Sequence, residues 1–80
     1  MTKVTLYTRL GCHLCDEAKN IISAVRHHSV FDYEELDIDS DPGLRQLYNE
    51  EVPVIAIDGA VAFRSRLTEE ELLQRLAGRS

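Results

Sequence analysis

Val4 and Leu6 alternate with Thr5 and Tyr7 over residues 3–8, the two-residue period of a strand. Tyr7 extends the apolar character to the second face, which fits a strand covered on both sides. After Arg9-Leu10-Gly11 the period changes. Leu14, Ala18, Ile21, Ile22 and Val25 fall at i, i+4, i+7, i+8 and i+11, one face of a helix over about residues 12–27. A second strand is expected within residues 31–38, where the apolar positions shift from Phe31 and Tyr33 to Leu36 and Ile38. That change of parity calls for a bulge or for a strand that starts after Phe31.

Asp41-Pro42 reads as a helix start, a carboxylate N-cap followed by proline at the first position, and Leu44, Leu47 and Tyr48 give the short helix an apolar side. Pro53-Val54-Ile55-Ala56-Ile57 reads as a buried strand. Asp58-Gly59 suits a type I′ turn, which needs positive φ at both positions, and joins it to Ala60-Val61-Ala62-Phe63. In the last helix Thr68 and Glu71 make a capping box, Leu67 and Leu72 a hydrophobic staple, and Gly78 the end. Leu72, Leu73 and Leu76 form its buried side, and Tyr7 and Phe63 are assigned to the core. The order β-α-β-α-β-β-α, with a right-handed opening βαβ crossover and a closing hairpin, predicts an α/β fold: a four-stranded mixed sheet with helices on both faces.

The chain's 80 residues are expected to form one domain over 1–80, near the size at which a core is marginal. The net charge is −5, and residues 32–51 hold most of the imbalance: Asp32, Glu34, Glu35, Asp37, Asp39, Asp41, Glu50 and Glu51 against Arg45 alone. That balance argues against nucleic acid as a partner, because phosphate binding needs a basic footprint. The stretch reads first as a solvated face and second as a docking surface for a basic partner. Met1-Thr2-Lys3 leads into no signal-peptide core and no apolar run approaches a bilayer span, so a cytoplasmic, membrane-free monomer is expected.

Cys12-His13-Leu14-Cys15 gives these elements a chemistry. Two thiols three residues apart on the first turn of a helix lie close enough to close a small disulfide ring. Unpaired N–H groups and the positive pole of the helix dipole favour a thiolate there, and such sites lower a thiol pKa from about 8.5 into roughly the 3.5–7.5 range. The stripe places Cys12 at the helix tip and Cys15 toward the core. In a reducing compartment such a pair reads as redox or metal chemistry, not as a permanent staple. His13, when protonated, would stabilise the anion; Asp16 and Glu17 oppose it or simply complement the helix dipole.

The strand order, the Cys-X-X-Cys after the first strand and the Val52-Pro53 step resemble the minimal thioredoxin fold of glutaredoxins. The segment Leu6-Tyr7-Thr8-Arg9-Leu10-Gly11-Cys12-His13-Leu14-Cys15-Asp16-Glu17-Ala18 is similar to a family of short bacterial glutaredoxin-like proteins. The resemblance runs from Val4 to about Leu76. It implies that Cys12 is the attacking cysteine and Cys15 the resolving one, in dithiol exchange with a disulfide-containing protein or a small thiol. It also implies a cis bond at Val52-Pro53, with the Val52 backbone pairing with the substrate chain, and a substrate carboxylate met by Arg9. Two departures stand out. Where glutaredoxins carry a Gly-Gly pair that receives glutathione, this chain reads Arg64-Ser65-Arg66-Leu67-Thr68-Glu69-Glu70, and Glu51 stands where many have Thr. Arg64 and Arg66 would restore the attraction for a carboxylate if they turn toward the cysteines. Glutathione is therefore a candidate reducing co-substrate, with no cofactor resident.

Other uses of the cysteines carry less. His27 and His28 lie about 20 Å from Cys12 along the helix, at 1.5 Å per residue, and miss zinc-ligand spacing, so no metal site is expected within one copy. Asp16 after Cys15 rules out a haem attachment motif. The resemblance also brings a glutathione-assisted iron–sulfur cluster carrier, bridged between two copies by Cys12. A non-enzymatic thioredoxin-like binding or redox-sensing module is the remaining class.

Overall fold

A computed structural model of the protein describes residues 2–78. Strand β1 (Lys3–Thr8) lies inside a four-stranded sheet. It is followed by helix α1 (His13–Arg26), strand β2 (Asp32–Asp37), a single 3-10 turn (Ile38–Ser40), helix α2 (Pro42–Tyr48), strands β3 (Val54–Ile57) and β4 (Ala60–Arg64), and helix α3 (Glu69–Ala77). The sheet order is β2-β1-β3-β4. β1 pairs with β2 in parallel and with β3 in antiparallel, and β4 closes an antiparallel hairpin on β3. This is the expected mixed sheet, in the expected element order.

The pleat sorts side chains onto the two faces. Val4, Leu6, Ile55 and Ile57 meet Ala18, Ile22, Val25, Leu67 and Leu72 in one core under α1 and α3. Leu6, Ile22, Ile55 and Leu72 are at most 1% exposed; burying each such side chain stabilises the fold by about 1.5–3 kcal/mol. On the other face the Tyr48 ring of α2 packs on Tyr7 with centroids 4.8 Å apart. The turns follow their residues: Asp58 and Gly59 take φ of 51° and 87°, the pair of positive values that a type I′ turn needs. Thr68 and Glu71 form both bonds of the capping box at 3.1 and 3.0 Å.

The parity change in the second strand is resolved by the later start that the sequence allowed: β2 begins at Asp32, and pairing runs unbroken from Lys3 opposite Asp32 to Thr8 opposite Asp37, with Phe31 and Ile38 buried just outside the strand at its two ends. Three other details depart from the sequence expectations. Leu47 is 65% exposed, because α2 reaches the sheet through Tyr48 and is too short to bury a second side. The irregularity falls in β4, where the register moves from Ile55 opposite Phe63 to Ala56 opposite Val61 and leaves Ala62 as the extra residue. Tyr7 and Phe63 are half-buried, Phe63 beneath the Arg75 guanidinium at 5.6 Å from its centroid.

Candidate functional site

Cys12 is the N-cap of α1. Its backbone is extended (φ −98°, ψ 106°), its carbonyl accepts from Asp16 N at 3.2 Å, and its Sγ accepts from Cys15 N at 3.1 Å. The sulfur thus takes the place that a Ser or Asp oxygen holds in an ordinary cap, among the unpaired donors of the first turn. Cys12 and Cys15 are joined as a disulfide with Cα atoms 5.2 Å apart. Cys12 is partly exposed, while Cys15 is fully buried at the head of the α1 core stripe. His13, next to it, is a solvated first-turn residue: its side chain is 86% exposed, with Nε2 3.8 Å from Glu17 Oε1.

Gly11 (φ +76°) turns the chain from β1 into that cap, a backbone region that costs a side-chain-bearing residue energy. Arg9, two residues earlier, does not stand ready for a substrate carboxylate. Its Nε and Nη2 bind Asp39 at 3.1 and 2.7 Å, and its Nη1 binds Asn49 O and Oδ1 at 2.7 and 3.0 Å. The hydrogen bonds from Arg9 hold the Asp39 carboxyl below its usual range. Arg9 is a tie between the cysteine loop, the 3-10 turn and the end of α2.

Val52-Pro53 is a cis peptide. Pro53 is buried and Val52 partly exposed, and the Pro53 carbonyl accepts from Ser65 N at 2.8 Å. Because Tyr7 pairs with Val54 in antiparallel, Pro53 lies at the end of the sheet where Thr8 leads into the cysteine loop. The two segments singled out from the sequence therefore share one edge of the molecule.

Arg64 is paired within the chain. The β3–β4 pairing sets it opposite Val54, and from there it forms an ion pair with Glu51. That pair also offsets the extra negative charge beside Val52-Pro53. Arg66 instead lines a groove of about 640 Å³ that opens beside the motif, with Leu14, Glu17, Ala18, Leu67 and Thr68. Among the described residues the Arg66 guanidinium has no ion-pair partner. Ser65, between the two arginines, holds φ +66° in place of a glycine.

The acidic stretch is largely matched from within. Glu34 meets Lys3 at 2.9 Å, Glu35 meets Lys19 at 3.3 Å, Asp39 meets Arg9 and Arg45, and Asp37 and Asp41 accept from the backbone as caps. Sequence reasoning missed three features of the site: Asp39 and Asn49 as partners of Arg9, the positive φ at Ser65, and the Leu14 side of the groove. The partners of Arg9 and the groove join segments far apart in the chain, and the turn at Ser65, closed by Arg66 N on Arg64 O at 2.7 Å, carries no glycine to signal it.

Comparison with known proteins agrees with this geometry. The glutaredoxin-like domain family (DUF836) matches residues 3–77. The chain belongs to the glutaredoxin-like family. A member from Dictyostelium discoideum, described as a glutaredoxin-like protein YDR286C homolog, is 33% identical over 75 residues, spanning 86% of this chain and 69% of that protein. The structural-genomics target XcR50 from X. campestris superposes with a TM-score of 0.80 at 28% identity, covering 94% of this chain and 96% of that one. Protein Ne2328 from Nitrosomonas europaea gives 0.79 at 29% identity, over 92% and 89%. Fasciola hepatica thioredoxin, at 16% identity and a TM-score of 0.67 over 99% and 81%, shares the fold. A glutaredoxin-like thioredoxin fold with a bonded cysteine pair supports a redox role for the chain. Among the described residues no helix is long and apolar enough to cross a membrane.

Proposed function

We propose that the protein is a thiol–disulfide oxidoreductase working by dithiol exchange. The observation that carries this reading is the position of Cys12 Sγ as the cap acceptor of α1, bonded to a buried Cys15. In the reduced protein the Cys12 thiolate attacks one sulfur of a substrate disulfide. The substrate S–S bond breaks and a Cys12–substrate disulfide forms, with one substrate thiolate leaving. Cys15 then loses its proton and attacks Cys12 Sγ, the mixed bond breaks, and the second substrate thiolate departs and takes up a proton. Two electrons pass to the substrate, and the cysteines end as the disulfide. Two molecules of a small thiol, or one dithiol, reverse these steps and reset the protein.

Val52, partly exposed at the margin of the sheet that leads into the cysteine loop, suits a disulfide-bearing peptide strand, and Arg66 suits a carboxylate such as those of glutathione. Arg64 and Arg9 are engaged within the chain and take no substrate role in this scheme. A reducing compartment such as the cytoplasm fits a pair that must be reset by thiols.

The test is a pair of variants assayed against a disulfide-bonded protein in a thiol buffer. Cys12→Ser is expected to abolish reduction, and Cys15→Ser to accumulate the mixed disulfide, visible by mass. A partner retained equally by both variants, with no covalent adduct, would mark a binding module instead.

A further inference from the structure

Thr8 is the last residue of β1, it is 7% exposed, and its Oγ1 is buried with no hydrogen-bond partner among the described residues. Buried hydroxyls are nearly always paired, so an orphan beside a reactive site calls for a physical reason. The pleat turns Thr8 to the same face as Val4 and Leu6, which pack against Ala18, Ile22 and Val25 of α1. α1 begins beyond the end of β1 and runs back over it. The short loop over residues 9–12 joins the end of β1 to the start of α1, so the last residue of the strand and the first buried residue of the helix share one margin of the core. That residue of α1 is Cys15, which is fully buried.

We propose that the Thr8 hydroxyl, unpaired while the two cysteines are joined, donates a hydrogen bond to the Cys15 sulfur once the disulfide opens and so readies it to attack Cys12. This role rests on the dithiol exchange proposed above. A sulfur in a disulfide is a weak acceptor and leaves the hydroxyl idle. A thiolate is a strong one, and an ionised sulfur without access to water needs a donor from the protein. Thr8 transfers no proton in this scheme: the Cys15 proton ends on the departing substrate thiolate, and the hydroxyl stabilises the charge that forms in between.

The test uses the reduced full chain and 5,5′-dithiobis(2-nitrobenzoate). Attack by Cys12 releases one thionitrobenzoate and leaves a mixed disulfide; attack by Cys15 on Cys12 releases the second. Thr8→Val keeps the shape and suits a strand. It is expected to leave the first release unchanged, to slow the second about tenfold at neutral pH, and to move the pH profile of the second release upward. Thr8→Ser should restore the second release. The oxidised form of Thr8→Val should melt no lower than the parent, since the substitution removes an unpaired buried hydroxyl. A second release unchanged in Thr8→Val, or slowed equally in Thr8→Ser, overturns the proposal. A parent protein that shows no faster first release than a free thiol, and no second release, instead overturns the exchange reading on which it stands.

Discussion

Arg9 grips Asp39 through two hydrogen bonds, Nη2 to Oδ1 at 2.7 Å and Nε to Oδ2 at 3.1 Å, so the residue that opens the cysteine loop is anchored thirty positions downstream. Nη1 adds Asn49 at the end of α2. The loop between β1 and Cys12 is therefore held from outside, and Gly11 supplies the turn that the anchor imposes.

The tie has a pH signature. The hydrogen bonds from Arg9 lower the folded-state pKa of Asp39, so its contribution is fully present above the ordinary carboxylate value of about 3.9 and is lost as pH falls through the lowered folded value. Asp39→Asn is expected to melt below the parent at neutral pH, with the gap closing toward pH 2. A gap that stays constant across thermal melts from pH 7 to pH 2 would contradict the ionic origin.

Gly11 holds φ +76° with open space where a Cβ would sit. Gly11→Ala should therefore cost about 1 kcal/mol through backbone conformation alone, and Gly11→Asn less, because asparagine tolerates the left-handed region. Urea denaturation of the oxidised forms measures both. A larger loss for Asn than for Ala would show that contacts, not dihedrals, set the penalty.

Leu72 and Thr68 anchor α3 in different ways. Leu72→Ala removes a fully buried side chain from the core and should cost about 2–5 kcal/mol, whereas Thr68→Ala removes a cap and should cost about 1 kcal/mol. A Thr68→Ala variant that loses nothing in chemical denaturation would mean that the start of α3 is held by something other than its capping box.

Glu51 neutralises Arg64 beside Val52-Pro53. Glu51→Gln is expected to speed the reaction of Cys12 with an anionic disulfide such as glutathione disulfide by about two- to fivefold at low ionic strength, and to leave a neutral disulfide unaffected. Stopped-flow rates at about 0.02 and 0.5 M salt separate the two, since screening should erase the gain.

What was readable in the chain follows the range of the interactions involved. The alternation of Val4 and Leu6, the Asp58-Gly59 turn and the Thr68-Glu71 box each act within a few residues and form as expected. So does the placement of Cys15 on the core face of α1, because a helix stripe needs no knowledge of its partner. Cys12 caps the helix tip and is partly exposed. The parity shift between Tyr33 and Leu36 allowed two explanations, and only pairing with β1 chose between them. Arg9 and Arg64 read as free cations because their acids, Asp39 and Glu51, are thirty and thirteen residues distant. The bulge at Ala62 lies in a run of small and apolar residues that carries no alternation to break.

β2 is an outer strand, and Asp32, Glu34, Glu35 and Asp37 occupy four of its six positions. A second copy approaching along this margin would bring carboxylates against carboxylates in either orientation. An unpaired row of peptide groups is otherwise a template for uncontrolled stacking, and here the acids that read as a solvated face act as a deterrent to it.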